Sequence, residues 1–225
     1  MTGKGAAQVA ELLARGLISL DLTVGREQQR LLVRYAEELL RWNRRINLVA
    51  RKTTLQELVE KHFLDSLTLL PVLDPALAVG RVRLLDIGTG AGFPGLVLAV
   101  ARPDLEVILV EPRQKRVSFL RHIIRILTLD NVTVLARRIE EATLPAPPTH
   151  VTSRALIEPV EFLHLVEGFL ADGARAILML SPAQEKQFGQ HLSPDQQVVS
   201  RYAFRLPWSG AGRMVSEIRN QKTEP

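Results

Sequence analysis

The stretch LLDIGTGAGFPG, residues 84–95, carries two glycine patterns laid over each other, and the choice between them decides how the chain is read. From Gly90, the residues Gly90, Gly92 and Gly95 spell G-x-G-x-x-G, the spacing of a tight turn that brings backbone close to a bound pyrophosphate. From Asp86, the same letters spell D-x-G-x-G-x-G. Pro94 suits the first turn of a following helix, where its missing N–H has no partner to lose.

Working outward, VRLLDI, LEVILVE, NVTVLA, HVTSRAL and ARAILML are short runs rich in Val, Ile and Leu. That is the pattern of strands covered on both faces in a parallel sheet. Helical periodicity separates most of them. Between the second and third runs, Val117, Leu120, Ile124 and Leu127 form an apolar stripe, with Arg113, Lys115, Arg116, Arg121 and Arg125 mostly off it. Such βαβα alternation predicts an α/β fold with a doubly wound, mostly parallel sheet. VVSRYAFRLP and GRMVSEIRN are joined too tightly for a crossover helix, so the C-terminal strands form an antiparallel pair.

Upstream of Gly80 the period is different. Leu31, Leu32, Tyr35, Leu39, Trp42 and Ile46 recur every three or four residues, one face of an amphipathic helix. A second helix is expected to start at Thr54, which has capping-box spacing to Glu57, and to stop before Pro71, leaving LDPALAVG (residues 73–80) as a connection. The chain thus divides into a helical N-terminal extension, 1–78, and a sheet domain, 79–225.

Glu111 follows the second strand 21 positions after Gly90, where it can accept hydrogen bonds from ribose hydroxyls, so either glycine pattern implies an adenosine-containing ligand. Asp86 separates the two. A carboxylate at the end of the first strand repels a pyrophosphate but attracts the ammonium of S-adenosylmethionine, which carries a sulfonium and no phosphate. This methyl donor is the expected cofactor. An NAD-dependent oxidoreductase is the alternative, and an Asp86 that merely orders the turn is the plainer reading.

Composition narrows the classes. The 29 Lys and Arg against 24 Asp and Glu leave a charge of +5, a mild excess compatible with a polyanionic partner. Twenty-three of the 29 are Arg, which suits bidentate phosphate contacts or reflects a plain preference for Arg. The absence of cysteine excludes disulfides, thiolate metal sites and a cysteine nucleophile, and with scattered histidines no metal site is expected. The N-terminal residues lack the apolar run of a signal peptide, and no stretch approaches the roughly 18 apolar residues of a membrane span. A cytoplasmic protein without membrane contact is expected.

The segments RWNRRINL (41–48), KHFLDS (61–66), LLDIGTGAGFPG, KRVSFLR (115–121) and TSRAL (152–156), in this order and spacing, resemble the RsmG or GidB family. The resemblance runs from about Arg26 to the last strand. It implies a Rossmann-like methyltransferase sheet, S-adenosylmethionine as cofactor, and N7 of a guanosine in small-subunit (16S) ribosomal RNA as acceptor, within naked RNA or the assembled small subunit. Carried over residue by residue, Gly88 and Phe93 line the methionine end beside Asp86 and Gly90, and Glu111 holds the ribose. Ile139 and Glu140 flank the adenine, with Arg138 beside them. Arg154 lies where cofactor and guanosine meet, as a cofactor contact and the one catalytic residue. The chain departs from the family pattern at His150, where Asp is usual, at Ser181 and Pro182, where Lys-Gly is usual, and at Ser216 and Glu217 in the last strand. The missing Lys removes a phosphate contact.

Guanine N7 already presents an unprotonated lone pair, so its methylation needs no general base; the protein's task is to hold donor and acceptor together with water excluded. Without cysteine, thiolate-dependent methylation at pyrimidine C5 is disfavoured. SRAL in place of an Asn/Asp-Pro-Pro-aromatic motif likewise disfavours an exocyclic amine. The acid-free window 41–52 carries five basic residues and is the expected RNA surface, with Arg44 and Arg45 foremost and Arg213 joining them. Trp42 lies on the apolar stripe and belongs to the core, His62 reads as a satisfied structural histidine, and the basic face of 113–125 has no assigned role. A ribosome-associated binding protein without activity is the second alternative, and a monomer is expected.

Overall fold

The computed structural model describes residues 3–154, 157–188 and 192–221. Its strands are β1 (Arg83–Ile87), β2 (Glu106–Val110), β3 (Val132–Leu135), β4 (His150–Ser153), β5 (Arg175–Leu180), β6 (Gln196–Arg205) and β7 (Gly212–Asn220). They form one seven-stranded sheet in the order β3-β2-β1-β4-β5-β7-β6. The first five are parallel, and β7 is antiparallel to both β5 and β6. This is the doubly wound α/β sheet that the apolar runs predict. Ala155 and Leu156, the end of the HVTSRAL run, lie outside the described residues. The order reverses between β1 and β4, so the loops leaving their carboxyl ends diverge and open a crevice.

Alternation along the strands divides the core. Leu84, Val107 and Leu109 point to one face, and Leu85, Ile87, Ile108 and Val110 to the other. The first face is covered by α1 (Gly3–Ser19), α2 (Arg26–Asn43), the helical stretch α3 (Leu55–Val79), α4 (Gly95–Ala101) and α5 (Gln114–Leu127) in a single apolar cluster. The second is covered by α6 (Pro159–Leu165), α7 (Glu167–Ala171) and α8 (Pro182–Phe188). The helices upstream of β1 therefore share their core with the sheet.

In α3 the sequence is met at one end and not at the other. Thr54 and Glu57 form the capping box, with Thr54 Oγ1 accepting from the Glu57 N–H at 3.2 Å and the Glu57 carboxylate accepting from the Thr54 N–H at 3.0 Å. The helix does not stop before Pro71. Pro71 falls in the first turn of the segment Leu70–Val79, where an N–H is not needed, and LDPALAV is helical, not a connection. Between these ends, Val59–Leu64 winds as a π-helix, a local widening that re-aims side chains and is frequent at functional sites. Contrary to the expectation that no stretch reaches membrane-spanning character, α3 is long and apolar enough to do so; 56% of its most apolar window is buried inside the chain, as befits a core helix. Glu60, 2% exposed, accepts from the N–H groups of Trp208 at 2.6 Å and Ser209 at 2.8 Å, which ties the β6–β7 turn to α3.

The departures at His150 and Glu217 meet each other at the amino ends of β4 and β5. Glu217 Oε1 accepts from Arg175 Nη1 at 3.0 Å and lies 3.5 Å from His150 Nε2, while Oε2 accepts from Ser200 Oγ at 3.0 Å. An acid buried in the last strand is thus matched by donors from β5 and β6, with the His150 ring of β4 alongside. Burial pushes the Glu217 carboxyl up, but His150, Arg175 and Ser200 outweigh it and hold it at about 2. Because the folded value lies below the ordinary one near 4.5, this contribution to stability is complete above pH 4.5 and lost as pH falls toward 2. Glu217→Gln should therefore lower the unfolding free energy at pH 7 by up to about 3 kcal/mol. Urea unfolding of both proteins should show the difference shrinking from pH 4.5 downward; a difference independent of pH would remove the charge from the explanation.

Candidate active site

At the end of β1, Asp86 points to the face covered by α4 and has no exposed surface. Its Oδ2 accepts from Thr89 Oγ1 at 2.6 Å and from the N–H of Gly95, the first residue of α4, at 2.8 Å. Its Oδ1 is buried and has no hydrogen-bond partner. Burial pushes the carboxyl up to about 6, against the lowering effect of the bonds from Thr89 and Gly95. Gly90 and Gly92 have φ of +62° and +95°, in the left-handed region that favours glycine. At Gly92 space is decisive too, since a Cβ there would strike the Tyr35 hydroxyl. Tyr35, fully buried on α2, donates that hydroxyl to the Ala91 carbonyl and stacks on Phe93 with centroids 5.8 Å apart. Pro94 follows a cis peptide and caps α4, one position before the first turn where the sequence set it.

A second buried acid holds the same loop. Glu111, 2% exposed and one residue past β2, accepts from the Gly90 N–H at 3.0 Å through Oε2 and from the Arg113 N–H at 2.8 Å through Oε1. Each oxygen keeps capacity for a further donor. Arg116 Nη1 lies 3.5 Å from Glu111 Oε2 and 3.6 Å from where a Cβ of Gly90 would sit. Arg138 and Glu140 are exposed on the turn after β3, and Ile139 is half-buried against the core of the second face. No hydrogen bond or ion pair links these three to the glycine loop among the described residues.

Beside the loop, between α3 and the ends of β4, β5 and β7, lies a cleft of about 420 Å³. Arg154, the first residue after β4, is held there from several sides. Its Nη1 donates to the Lys61 carbonyl at 2.7 Å and lies 3.5 Å from Asp65 Oδ2, its Nη2 donates to His62 Nδ1 at 2.9 Å, and its guanidinium carbon is 5.0 Å from the centre of the Phe93 ring. A guanidinium only donates, so His62 Nδ1 is the acceptor and the imidazole proton sits on Nε2. Burial, then Arg154 and Lys61, push His62 down to about 3, which keeps it neutral. Its ring packs on Phe93 at 4.9 Å. Asp65, 6% exposed, stands between two arginines, with Oδ1 3.3 Å from Arg213 Nε but without a hydrogen-bond partner. Burial raises the Asp65 carboxyl, while Arg154 and Arg213 pull it down.

Asp86, Gly88, Gly90, Phe93 and Glu111 thus gather at the loop, and Arg154 and Arg213 share the cleft through Asp65. Arg44 and Arg45 are exposed beyond the end of α2 and do not line the cleft. Trp42 packs its edge on Phe119 at 5.7 Å, as its place on the stripe implies. His62 is satisfied as expected, by Arg154 and inside the cleft. Tyr35, Asp65 and Arg116 went unanticipated. KHFLDS supplied the only signal for Asp65, and KRVSFLR for Arg116, in each case without a partner. Where Lys-Gly is usual, Ser181 starts α8, its Oγ accepting from the Gln184 N–H at 3.3 Å while its N–H donates to Gln184 Oε1 at 3.1 Å.

The family model described as rRNA small subunit methyltransferase G, GidB, matches residues 28–200. A ribosomal RNA small subunit methyltransferase G of Desulfotalea psychrophila is 40% identical over 214 residues, 92% of this chain and 96% of its own. That of Myxococcus xanthus is 38% identical over 215 residues, 93% and 96% of the two chains. Among solved structures, a ribosomal protein L11 methylase from Lactobacillus delbrueckii subsp. bulgaricus is similar with a TM-score of 0.51 at 14% identity, covering 68% of this chain and 78% of its own, a likeness of fold alone.

The loop geometry carries its own test. Tyr35→Phe leaves the buried Ala91 carbonyl without this donor and should lower the unfolding free energy by about 1–3 kcal/mol. A variant as stable as the wild type in urea would show that the hydroxyl contributes nothing to holding the loop.

Proposed function

The chain belongs to the rRNA small subunit methyltransferase G family, and from that membership we propose that it methylates N7 of a guanosine in small-subunit (16S) ribosomal RNA, using S-adenosylmethionine. The observation that carries this reading is a glycine loop held by two buried carboxylates, Asp86 and Glu111, opening beside the arginine-bearing cleft. The donor set fits the cofactor. Asp86 Oδ1 is a buried oxygen without a donor, and Glu111 has lone pairs to spare for hydroxyls. Asp86, buried beside the loop, suits a cationic group and opposes a pyrophosphate, which disfavours NAD, whereas Glu111 suits the ribose of either cofactor.

In this reading Asp86, Gly88, Gly90 and Phe93 hold the amino-acid end of the cofactor, Glu111 its ribose, and Arg138, Ile139 and Glu140 its adenine. When bound, S-adenosylmethionine supplies an electrophilic methyl group. Arg154, fixed by Lys61, His62 and Asp65 and lying over Phe93, is the catalytic residue and orients the guanine at the boundary between loop and cleft. Because N7 has no proton to lose, the neutral His62 is not required as a base. Arg44, Arg45 and Arg213 contact the RNA, free or in the assembled small subunit. Residues 79–225 are the methyltransferase domain of a cytoplasmic monomer and 1–78 its N-terminal extension, whose described helices share the core of the sheet.

Glu111→Ala should weaken S-adenosylmethionine binding by about 1.5–3 kcal/mol, the cost of a charge-assisted hydrogen bond, and calorimetry finding the folded variant unchanged would take Glu111 out of the site. Arg154→Ala should slow single-turnover transfer about a hundredfold at saturating cofactor, since a displacement near 1 Å is enough for that. Full recovery at saturation would reduce Arg154 to binding. In the wild type the single-turnover rate should be nearly flat across neutral pH; a tenfold rise per pH unit would mean a general base and an acceptor other than N7.

A further inference from the structure

Asp65 is the single carboxylate lining the cleft among the described residues, set against three cations, Lys61, Arg154 and Arg213. The methyl-transfer chemistry above gives it no part beyond holding Arg154. Its two oxygens are not equivalent. Oδ2 faces Arg154 Nη1 at 3.5 Å, whereas Oδ1 is buried without a hydrogen bond, Arg213 Nε lying 3.3 Å away outside bonding geometry. A buried carboxylate oxygen that faces a cation but completes no hydrogen bond is under-satisfied and calls for an explanation. In a cleft large enough for a small ligand, a donor carried by that ligand supplies one.

The purine bases differ in what they can offer. Guanine presents N1–H and the 2-amino group, two adjacent donors on the edge away from N7, and beside N7 it presents O6, an acceptor that suits an arginine. Adenine presents an acceptor at N1 and only C–H at C2. A cleft with one under-bonded carboxylate between two arginines therefore matches guanine's donors and acceptor together and leaves adenine with an acceptor facing an acceptor. We propose that Asp65 is the specificity-determining residue of this site, accepting the N1–H and 2-amino protons of guanine while Arg154 and Arg213 meet its acceptor side. This assignment rests on the methyl-transfer reading. It adds which base is admitted and by which side chain.

The test removes the same contact from each side. With the accepting nucleotide located, small-subunit RNA is assembled by splint ligation with guanosine or inosine there, inosine lacking only the 2-amino group. Full-length wild-type protein should transfer methyl to the inosine RNA with kcat/KM lower by roughly tenfold to a hundredfold, the range for a hydrogen bond to a charged group. Asp65→Ala should be slower on guanosine and show no further loss on inosine. A side chain that only braces the arginines would slow both RNAs alike and leave the inosine penalty intact, which overturns the assignment, as does a wild type indifferent to the 2-amino group. If Asp65→Ala does not bind S-adenosylmethionine as a folded protein, Asp65→Asn is compared on the same two RNAs; its amide oxygen still accepts but carries no charge, so a smaller penalty is expected, and full retention overturns the assignment. Wild-type protein that methylates neither RNA overturns the methyl-transfer reading and this assignment together; equal transfer to both overturns this assignment alone.

Discussion

A carboxylate with no exposed surface, in a strand flanked by strands on both sides, must find its donors within reach, and Asp86 finds them in the loop that its own strand begins. Its Oδ2 takes the Thr89 hydroxyl and the first N–H of α4, so the chain has to turn back within nine residues and start a helix over the same face of the sheet. The glycines follow from that path. Left-handed backbone at Gly90 and Gly92 is what lets so short a segment close, and the space at Gly92 is taken by Tyr35. Glu111 then catches Gly90 from the neighbouring strand. The loop is held from its own strand, from the next strand and from the N-terminal extension.

That third attachment joins the two halves of the site. Phe93 has Tyr35 stacked on it from α2, His62 packed on it from α3, and the Arg154 guanidinium over its ring from the end of β4. It belongs to the glycine loop and packs against two residues that line the cleft, His62 and Arg154. Displacing α2 or α3 would disturb both, which explains why residues upstream of Gly80 bury no separate core. The π-wound turn of α3 contributes the Lys61 carbonyl and the His62 ring to Arg154, and Asp65 in the following turn carries the hold across to Arg213 on β7.

Much of this was legible in the residues. The five parallel strands read as apolar runs and the last two as a tightly joined pair, so all seven were visible, and the glycine spacing located the crevice at the end of β1. Thr54 and Glu57 marked a helix start because a capping box is a local device. Pro71 misled because a proline reads as a stop, although in a first turn it loses nothing. The π winding of α3 has no signature in apolar spacing. Contacts between distant positions were not legible either: Asp65 and Arg154 are 89 residues apart, and His150 and Glu217 read as two unrelated oddities until the sheet brought them together. Arg116 looked like one more cation on a solvated helix face, and only the fold brings it over Gly90.

In the proposed function, a carboxylate-held glycine loop and an arginine-bearing cleft together deliver a methyl group to a ring nitrogen of guanine in small-subunit ribosomal RNA. The most direct test is to incubate the protein with methyl-labelled S-adenosylmethionine and small-subunit ribosomal RNA, free and in assembled particles, then digest to nucleosides and locate the label by mass spectrometry. Label is expected in 7-methylguanosine at a single nucleotide, and absent when the protein is omitted. Label in any other nucleoside, or none in either form of the RNA, would contradict the proposed function.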